Sequence, residues 1–345
     1  MTVTYDPGVH LEGDGWLALH RNENLFAEPA MLDELARRAL AKVTLSAYPH
    51  PTSLLLREQL AELYGVAAEN IFVGNGSDEV LSELLRYLRP SHEAMWLQDV
   101  GYAIHGLLAA RLGYRLETLP GSTFSTGRVE PPPGPCLSVV DSPNAVTGHA
   151  VRAEEVFALG HAPGSFLVWD NAYGEIAGNA LPREVRANVV TVRSFSKFYG
   201  LAGARVGYCI GDRALVAELL QRKDAFNVGA FPQAVALEAL ARREHFVQLA
   251  RQLHDSRERM VTALRALGFE VRPSHGNFVL ARHPAREAAA LQQGLAGRRI
   301  AVRRFPKDAV RNHLRITVPP APGVDRLLEA LQALLGSDGR PPVAG

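Results

Sequence analysis

From about residue 30 to residue 235 the chain alternates between two apolar rhythms, and this alternation restricts its fold more than any other feature. Leu32, Leu35, Ala36, Ala39, Leu40 and Val43 recur at helical spacing. The short run Ile71–Val73 then ends at Gly74, and Val80, Leu81, Leu84, Leu85 and Leu88 return to the helical period. Further strand candidates follow at Ala94–Leu97, Leu116–Leu119, Cys136–Val140, Phe166–Trp169, Val189–Val192 and Val206–Ile210. Short continuous apolar runs with helical stretches between them predict an α/β sheet, largely parallel and covered by helices on both faces. After about residue 235 two long Ala/Leu/Arg-rich helical stretches run to Leu267. Short strands are expected at Asn277–Ala281, Ile300–Val302 and Leu314–Val318, with a helix between the first two, which reads as a smaller α+β domain. The expected organisation is therefore an N-terminal arm (1–28), a large domain (29–235) and a small C-terminal domain (236–345), with a frayed tail at 340–345.

Composition narrows the function classes. A chain of 345 residues suits about two domains, and 47% hydrophobic with 21% charged residues is ordinary globular usage. Lys and Arg number 37 against 36 Asp and Glu, too even a balance for a nucleic-acid or membrane-surface protein. Cys136 and Cys209 alone make neither a disulfide framework nor a Cys-rich zinc site, and no metal is expected. No apolar run approaches the ~20 residues of a membrane span, and the first residues lack the basic and apolar regions of a signal peptide. A soluble, cytoplasmic protein is the expectation.

Lysine is scarce: Lys42, Lys197, Lys223 and Lys307 are the only four. Three of them sit beside charged residues in helical stretches or in a turn, as solvated side chains do. Lys197 differs, because the strand candidate Val189–Val192 delivers Ser194-Phe195-Ser196-Lys197 at its carboxyl end, where open α/β sheets bind ligands. Arg205 follows after a segment long enough to loop back. Two hydroxyls and a guanidinium suit a phosphate monoester, and an amine suits a carbonyl; the plainer alternative is a capped turn with a surface lysine. Gly74-Asn75-Gly76-Ser77-Asp78-Glu79 lies between a strand and a helix, where free N–H groups can meet an anion, or where Ser77 or Asp78 merely caps the helix. Asp170 ends the run Phe166–Trp169, so its charge needs a partner, a cap or a turn, and Tyr173 lies three residues on.

Taken together, these segments resemble fold-type I pyridoxal-phosphate enzymes, specifically the class I and II aminotransferases, and within them the histidinol-phosphate branch. The resemblance runs from Asn22-Glu23-Asn24 to His313-Leu314-Arg315-Ile316-Thr317-Val318. It implies pyridoxal 5'-phosphate as cofactor and two half-reactions, with Lys197 forming the cofactor imine and shuttling the proton. Asp170 would pair with the pyridine nitrogen, Tyr173 would hydrogen-bond the ring hydroxyl and Tyr102 would stack on the ring. Ser77 and Asp78 amides, with Ser194, Ser196 and Arg205, would hold the phosphate. Tyr48 resembles the tyrosine that reaches the neighbouring subunit's phosphate, which implies a homodimer with shared active sites. Arg315 and Arg303 resemble the anion contacts of the substrate, and Asn22 and Asn277 match positions near it.

Some positions depart from the family pattern. In Ser142-Pro143-Asn144-Ala145-Val146-Thr147-Gly148, Ala145 stands where an asparagine usually meets the ring hydroxyl, and Asn144 is the residue expected to take its place. Asn171 replaces a usual glutamate, and His105 stands where the branch shows a second tyrosine. The resemblance therefore also admits another amino acid aminotransferase, a pyridoxal-phosphate decarboxylase or cyclase, or a non-catalytic cofactor-binding protein.

Overall fold

The computed structural model describes residues 11–124, 128–178 and 185–336; the expected tail at 340–345 and the first ten residues of the expected arm lie outside them. The chain opens with β1 (Leu17–Leu19), α1 (Pro29–Leu40), α2 (Leu54–Tyr64), β2 (Ile71–Asn75) and α3 (Gly76–Leu88). It continues through β3 (Ala94–Leu97), α4 (Ala103–Leu112), β4 (Arg115–Thr118), β5 (Leu137–Asp141), α5 (Ala153–Ala158), β6 (Phe166–Asp170), β7 (Val189–Ser194) and β8 (Val206–Ile210). Three helices follow, α6 (Arg213–Arg222), α7 (Ala230–Leu240) and α8 (Arg243–Ala266). The chain then passes through β9 (Glu270–Val271), β10 (Phe278–Arg282), α9 (Ala288–Ala296), β11 (Ile300–Val302), β12 (Leu314–Thr317) and α10 (Ala321–Gly336).

A seven-stranded sheet in the order β2-β8-β7-β6-β5-β3-β4 dominates the fold. All its pairings are parallel except the two made by β8, which runs against β2 and β7. Every residue of β5, β7 and β8 is buried, as expected for strands covered on both faces. The apolar runs are continuous because neither face meets water.

The register of this sheet decides where polar groups collect. Asp141, the last residue of β5, lies opposite Asp170, the last of β6, and β7 ends beside them at Ser194. Ser194 is opposite Gly207 of the reversed strand β8, so Arg205, which precedes β8, emerges at the same edge. Gly74 of β2 is also opposite Gly207, which brings the start of α3 to that edge. One strand reversal thus gathers segments that are distant in the sequence.

The later part of the chain carries a three-stranded antiparallel sheet, β12-β10-β9. The expected strands are present within a residue or so at each end. The two-residue β9 and the three-residue β1 carry too little pattern to read. β1 matters more, because it pairs in parallel with β11, Leu17 opposite Ile300. The segment expected as an arm is therefore tied, over these residues, to the C-terminal part of the chain.

Among the described glycines, Gly207 makes the closest approach to another segment's backbone. A Cβ there would lie 2.2 Å from the Ser77 amide nitrogen and 2.4 Å from the Gly76 carbonyl carbon, so any side chain must push the start of α3 off β8. Gly207→Ala should cost about 1–3 kcal/mol of stability as an overpacked core site does, measured by urea unfolding.

Candidate active site

Lys197 leaves the end of β7 and turns back under the N-terminal segment. It is half-buried, with Nζ 3.3 Å from the Asn22 carbonyl oxygen, 3.4 Å from that of Arg21 and 5.6 Å from the centre of the Tyr173 ring. The other three lysines stay at the surface, Lys42 paired with Glu238 and Lys307 with Asp99. One amine therefore lines the strand edge.

The segments expected to hold a phosphate lie together. The α3 N-terminus, free of any side-chain cap, presents the Ser77 and Asp78 end of the helix, and Gly76, at φ +78°, lets the chain turn against Arg205. A Cβ on Gly76 would lie 2.5 Å from that guanidinium. Arg205 donates to Asp78 Oδ2 at 3.0 Å, and Tyr102 donates its hydroxyl to Asp78 Oδ1 at 3.0 Å. Ser194 Oγ accepts the Ser196 amide at 3.1 Å, so one hydroxyl also shapes the turn that presents the other. An unoccluded helix N-terminus with a guanidinium beside it binds a phosphate by dipole, N–H groups and charge together.

Asp170 is buried and accepts from the Ala172 amide at 3.2 Å, and its other oxygen lies 3.0 Å from His105 Nε2. His105 was not expected at the site. Burial works against its charged form, yet the hydrogen bond and charge of Asp170, with the charges of Asp141 and Asp78, outweigh it, and the His105 pKa stands above its ordinary value. Asp141 is the second unforeseen member. It accepts from the Ala145 amide at 2.7 Å and the Tyr102 amide at 3.1 Å, joining the stacking tyrosine to the loop after β5. Burial pushes its carboxyl up to about 6, against the pull of His105 and the Ala145 hydrogen bond. Neither residue has a local motif; strand register and the α4 helix bring them in.

Three expected contacts are placed differently. Asn144 spends its amide on the Val100 carbonyl at 2.8 Å and Asp141 at 3.3 Å, while its oxygen accepts the Val146 and Thr147 amides. It braces its own loop, so it does not replace the group missing at Ala145. Asn277 donates to the carbonyls of Asn22 and Glu23 at 3.0 and 3.1 Å. Asn22 donates to the Tyr173 hydroxyl at 2.9 Å and is held by Thr317. Both asparagines thus act behind the reacting edge and hold it in place. A buried amide is claimed by whichever partners face it, and the sequence does not reveal these.

The two arginines do come together. Arg303 and Arg315 face each other across a backbone bridge, with N–H···O distances of 3.0 and 2.8 Å. Both guanidinium groups lie by Phe305, 5.7 and 5.2 Å from its centre. Arg315 donates to the Ala145 and His20 carbonyls at 2.8 and 2.9 Å, which latches the small sheet to the loop after β5. Tyr48 stays outside this cluster, 83% exposed and stacked on Phe226 at 4.6 Å. Among the described residues no group of three or more His, Cys, Asp or Glu could hold a metal, and no helix is long and apolar enough to cross a membrane.

The family model described as aminotransferase class I and II matches residues 14–334. Histidinol-phosphate aminotransferase of Microcystis aeruginosa is 34% identical over 343 residues, 98% of this chain and 97% of its own length. That of Gluconacetobacter diazotrophicus is 36% identical over 340 residues, 96% and 94% of the two chains. In fold, the chain is similar to the histidinol-phosphate aminotransferase of Sinorhizobium meliloti, solved in complex with pyridoxal-5'-phosphate. The TM-score is 0.81 at 24% identity, covering 93% of this chain and 90% of that one.

The Asp141 carboxyl has a pH signature. Burial pushes its folded pKa to about 6, above the ordinary aspartate value of 3.8, so the native state holds this proton more tightly than the unfolded chain does. Its contribution to stability is full below about pH 4 and is lost as pH rises through about 6. At about 1.4 kcal/mol per pKa unit the loss is about 3 kcal/mol. Asp141→Asn should remove that fall, read as the difference between wild-type and variant urea midpoints across pH 4 to 7.

Proposed function

The chain belongs to the class I and II aminotransferases, and from that premise we propose that it exchanges an amino group between histidinol phosphate and 2-oxoglutarate in two half-reactions. The gathering of Lys197, Asp170, Tyr173 and Arg205 at one strand edge, across from Arg303 and Arg315, carries this reading. The curated relatives' names supply the substrate class.

The residues fit pyridoxal 5'-phosphate, because two glycines keep open a cradle that a Cβ would fill, at the strand edge that Lys197 lines. Bound there, the cofactor supplies an electron sink for the charge left on the substrate carbon. The protein's own part is positional and electrostatic. Arg205, Ser194, Ser196 and the α3 N-terminus hold the phosphate, and Tyr102 covers the ring. Asp170, oriented by His105, holds positive charge at the ring nitrogen. Lys197 carries the cofactor and, at Nζ, takes the proton from the substrate carbon and returns it. Tyr173 donates to the ring oxygen. Arg315, with Arg303 beside it, exchanges its carbonyl contacts for the substrate's anionic group, since a guanidinium binds carboxylate and phosphate equally well in a fork. Residues 29–235 would be the cofactor-binding domain and 236–345 the small domain, acting in the cytoplasm.

The reading includes a homodimer. Leu40, Leu45, Leu54, Leu55 and Phe226 are exposed around Tyr48, an apolar face that a second copy would cover while offering each Tyr48 to the opposite phosphate. Leu55→Asp should halve the mass measured by light scattering; an unchanged dimer would place the interface elsewhere.

The function is tested by single-turnover spectra of the loaded protein. Histidinol phosphate and glutamate should each convert the visible band, and conversion by glutamate alone would overturn the substrate. Lys197→Ala should leave no adduct after borohydride reduction and lower turnover by at least about 10⁴-fold. Arg315→Ala should raise KM for anionic substrates about 10- to 100-fold, the loss of hydrogen bonds to charge worth about 1.5–3 kcal/mol, with the spectrum kept.

A further inference from the structure

Ala145 removes a side-chain amide from the large-domain side of the site, and Asn144 does not restore it. The hydroxyl of Tyr173 is thereby left as the side-chain donor for a ring oxygen, and what surrounds that hydroxyl decides whether its proton is available. β12 supplies the surroundings. Leu314 and Ile316 point into the core, 1% and 0% exposed, so the alternate residues Arg315 and Thr317 share the face toward the N-terminal segment. Thr317 Oγ1 accepts the Asn22 amide N–H at 3.1 Å and lies 3.3 Å from Asn22 Oδ1. Asn22 Nδ2 donates to the Tyr173 hydroxyl at 2.9 Å. Asn22 itself is 1% exposed at φ +55°, and its carbonyl accepts from Asn277 and Lys197.

These bonds have a direction. Because the Thr317 oxygen already accepts a backbone N–H, its proton goes to Asn22 Oδ1, which turns the Asn22 NH₂ toward Tyr173. The Tyr173 oxygen accepts there, and no described residue accepts its proton. With the Asn22 amide reversed, Thr317 would accept two N–H groups and its proton would have no acceptor among the described contacts.

We infer that Thr317 and Asn22 form a polarity relay that forces Tyr173 to donate its proton into the site, and that this relay does the work of the side chain missing at Ala145. The inference rests on the cofactor reading above. Thr317 and Asn22 are positioning residues, since both act through Tyr173. The ring oxygen and the Lys197 nitrogen share one proton in the loaded protein, and a hydrogen bond donated by Tyr173 to that oxygen draws off negative charge and releases the proton at lower pH. Without the relay the Tyr173 proton is free to turn away, and the shared proton is held to higher pH.

The test is the pH midpoint of the visible absorption change of the cofactor-loaded protein, without substrate. Thr317→Val should raise the midpoint by about half to one pH unit, the worth of one hydrogen bond. Thr317→Ser should leave it at the wild-type value. Asn22→Gly, which tolerates the positive φ, reaches the same relay without touching the β12 core and should raise the midpoint equally. Tyr173→Phe should raise it at least as far, and adding Thr317→Val to that variant should move it no further. Unmoved midpoints in Thr317→Val and Asn22→Gly, or an equal shift in the Tyr173→Phe background, would overturn the relay. A wild-type protein that takes up no pyridoxal phosphate would overturn both the relay and the reading beneath it.

Discussion

Three neighbouring parallel strands stop at the same edge, and the rest of the site depends on that. A strand end frees backbone polar groups and puts side chains against open space, so Asp141, Asp170 and the Ser194 turn all end at one crevice. The reversal of β8 adds Arg205 to the same edge, and its close approach to β2 adds the α3 N-terminus. Covered faces are what allow the charges to accumulate there. The strands behind them are mainly apolar and wholly buried in β5 and β7, so most of the grouped charge sits at the rim, where it finds partners.

Those partners alternate in sign. Asp78 stands between Arg205 and the Tyr102 hydroxyl, and His105 stands beside Asp170 with Asp141 nearby. Asp141 also ties the Tyr102 turn to the loop that Arg315 holds from the small sheet. Tyr102, the Asp170–His105 pair and Arg315 therefore share one mechanical frame. Displacing any member shifts the others, because buried polar groups do not slide independently.

The strands of the large sheet were legible because apolar runs of four to six residues between helical stretches have few other solutions. Lys197 stood out through its scarcity and its place at a strand end, Asp170 through its place at the end of an apolar run, and Arg205 through its spacing from Lys197, while the roles proposed for them came from the family resemblance. The roles of the asparagines were not legible. By sequence Asn22, Asn144 and Asn277 are polar residues with no distinguishing pattern of their own, and only their three-dimensional neighbours show what they brace. His105 and Asp141 were hidden for a related reason: a histidine on a helix and an aspartate after a strand are ordinary, and their meeting depends on register. β1 was hidden because its three residues lie in a segment with no helix or strand pattern on either side, and its partner β11 is far along the chain.

The pairing of β1 with β11 also bears on how the protein is made. Leu17 finds Ile300 opposite it, and Asn22 finds Thr317, so each early segment waits for a partner made as many as 295 residues later. At about 5–20 residues per second, that wait lasts roughly 15–60 s. Throughout it the large sheet can fold, yet Asn22 lacks the contact that orients it. An unfinished chain thus carries Lys197 while Asn22, whose carbonyl faces that amine, still lacks the strand that orients it.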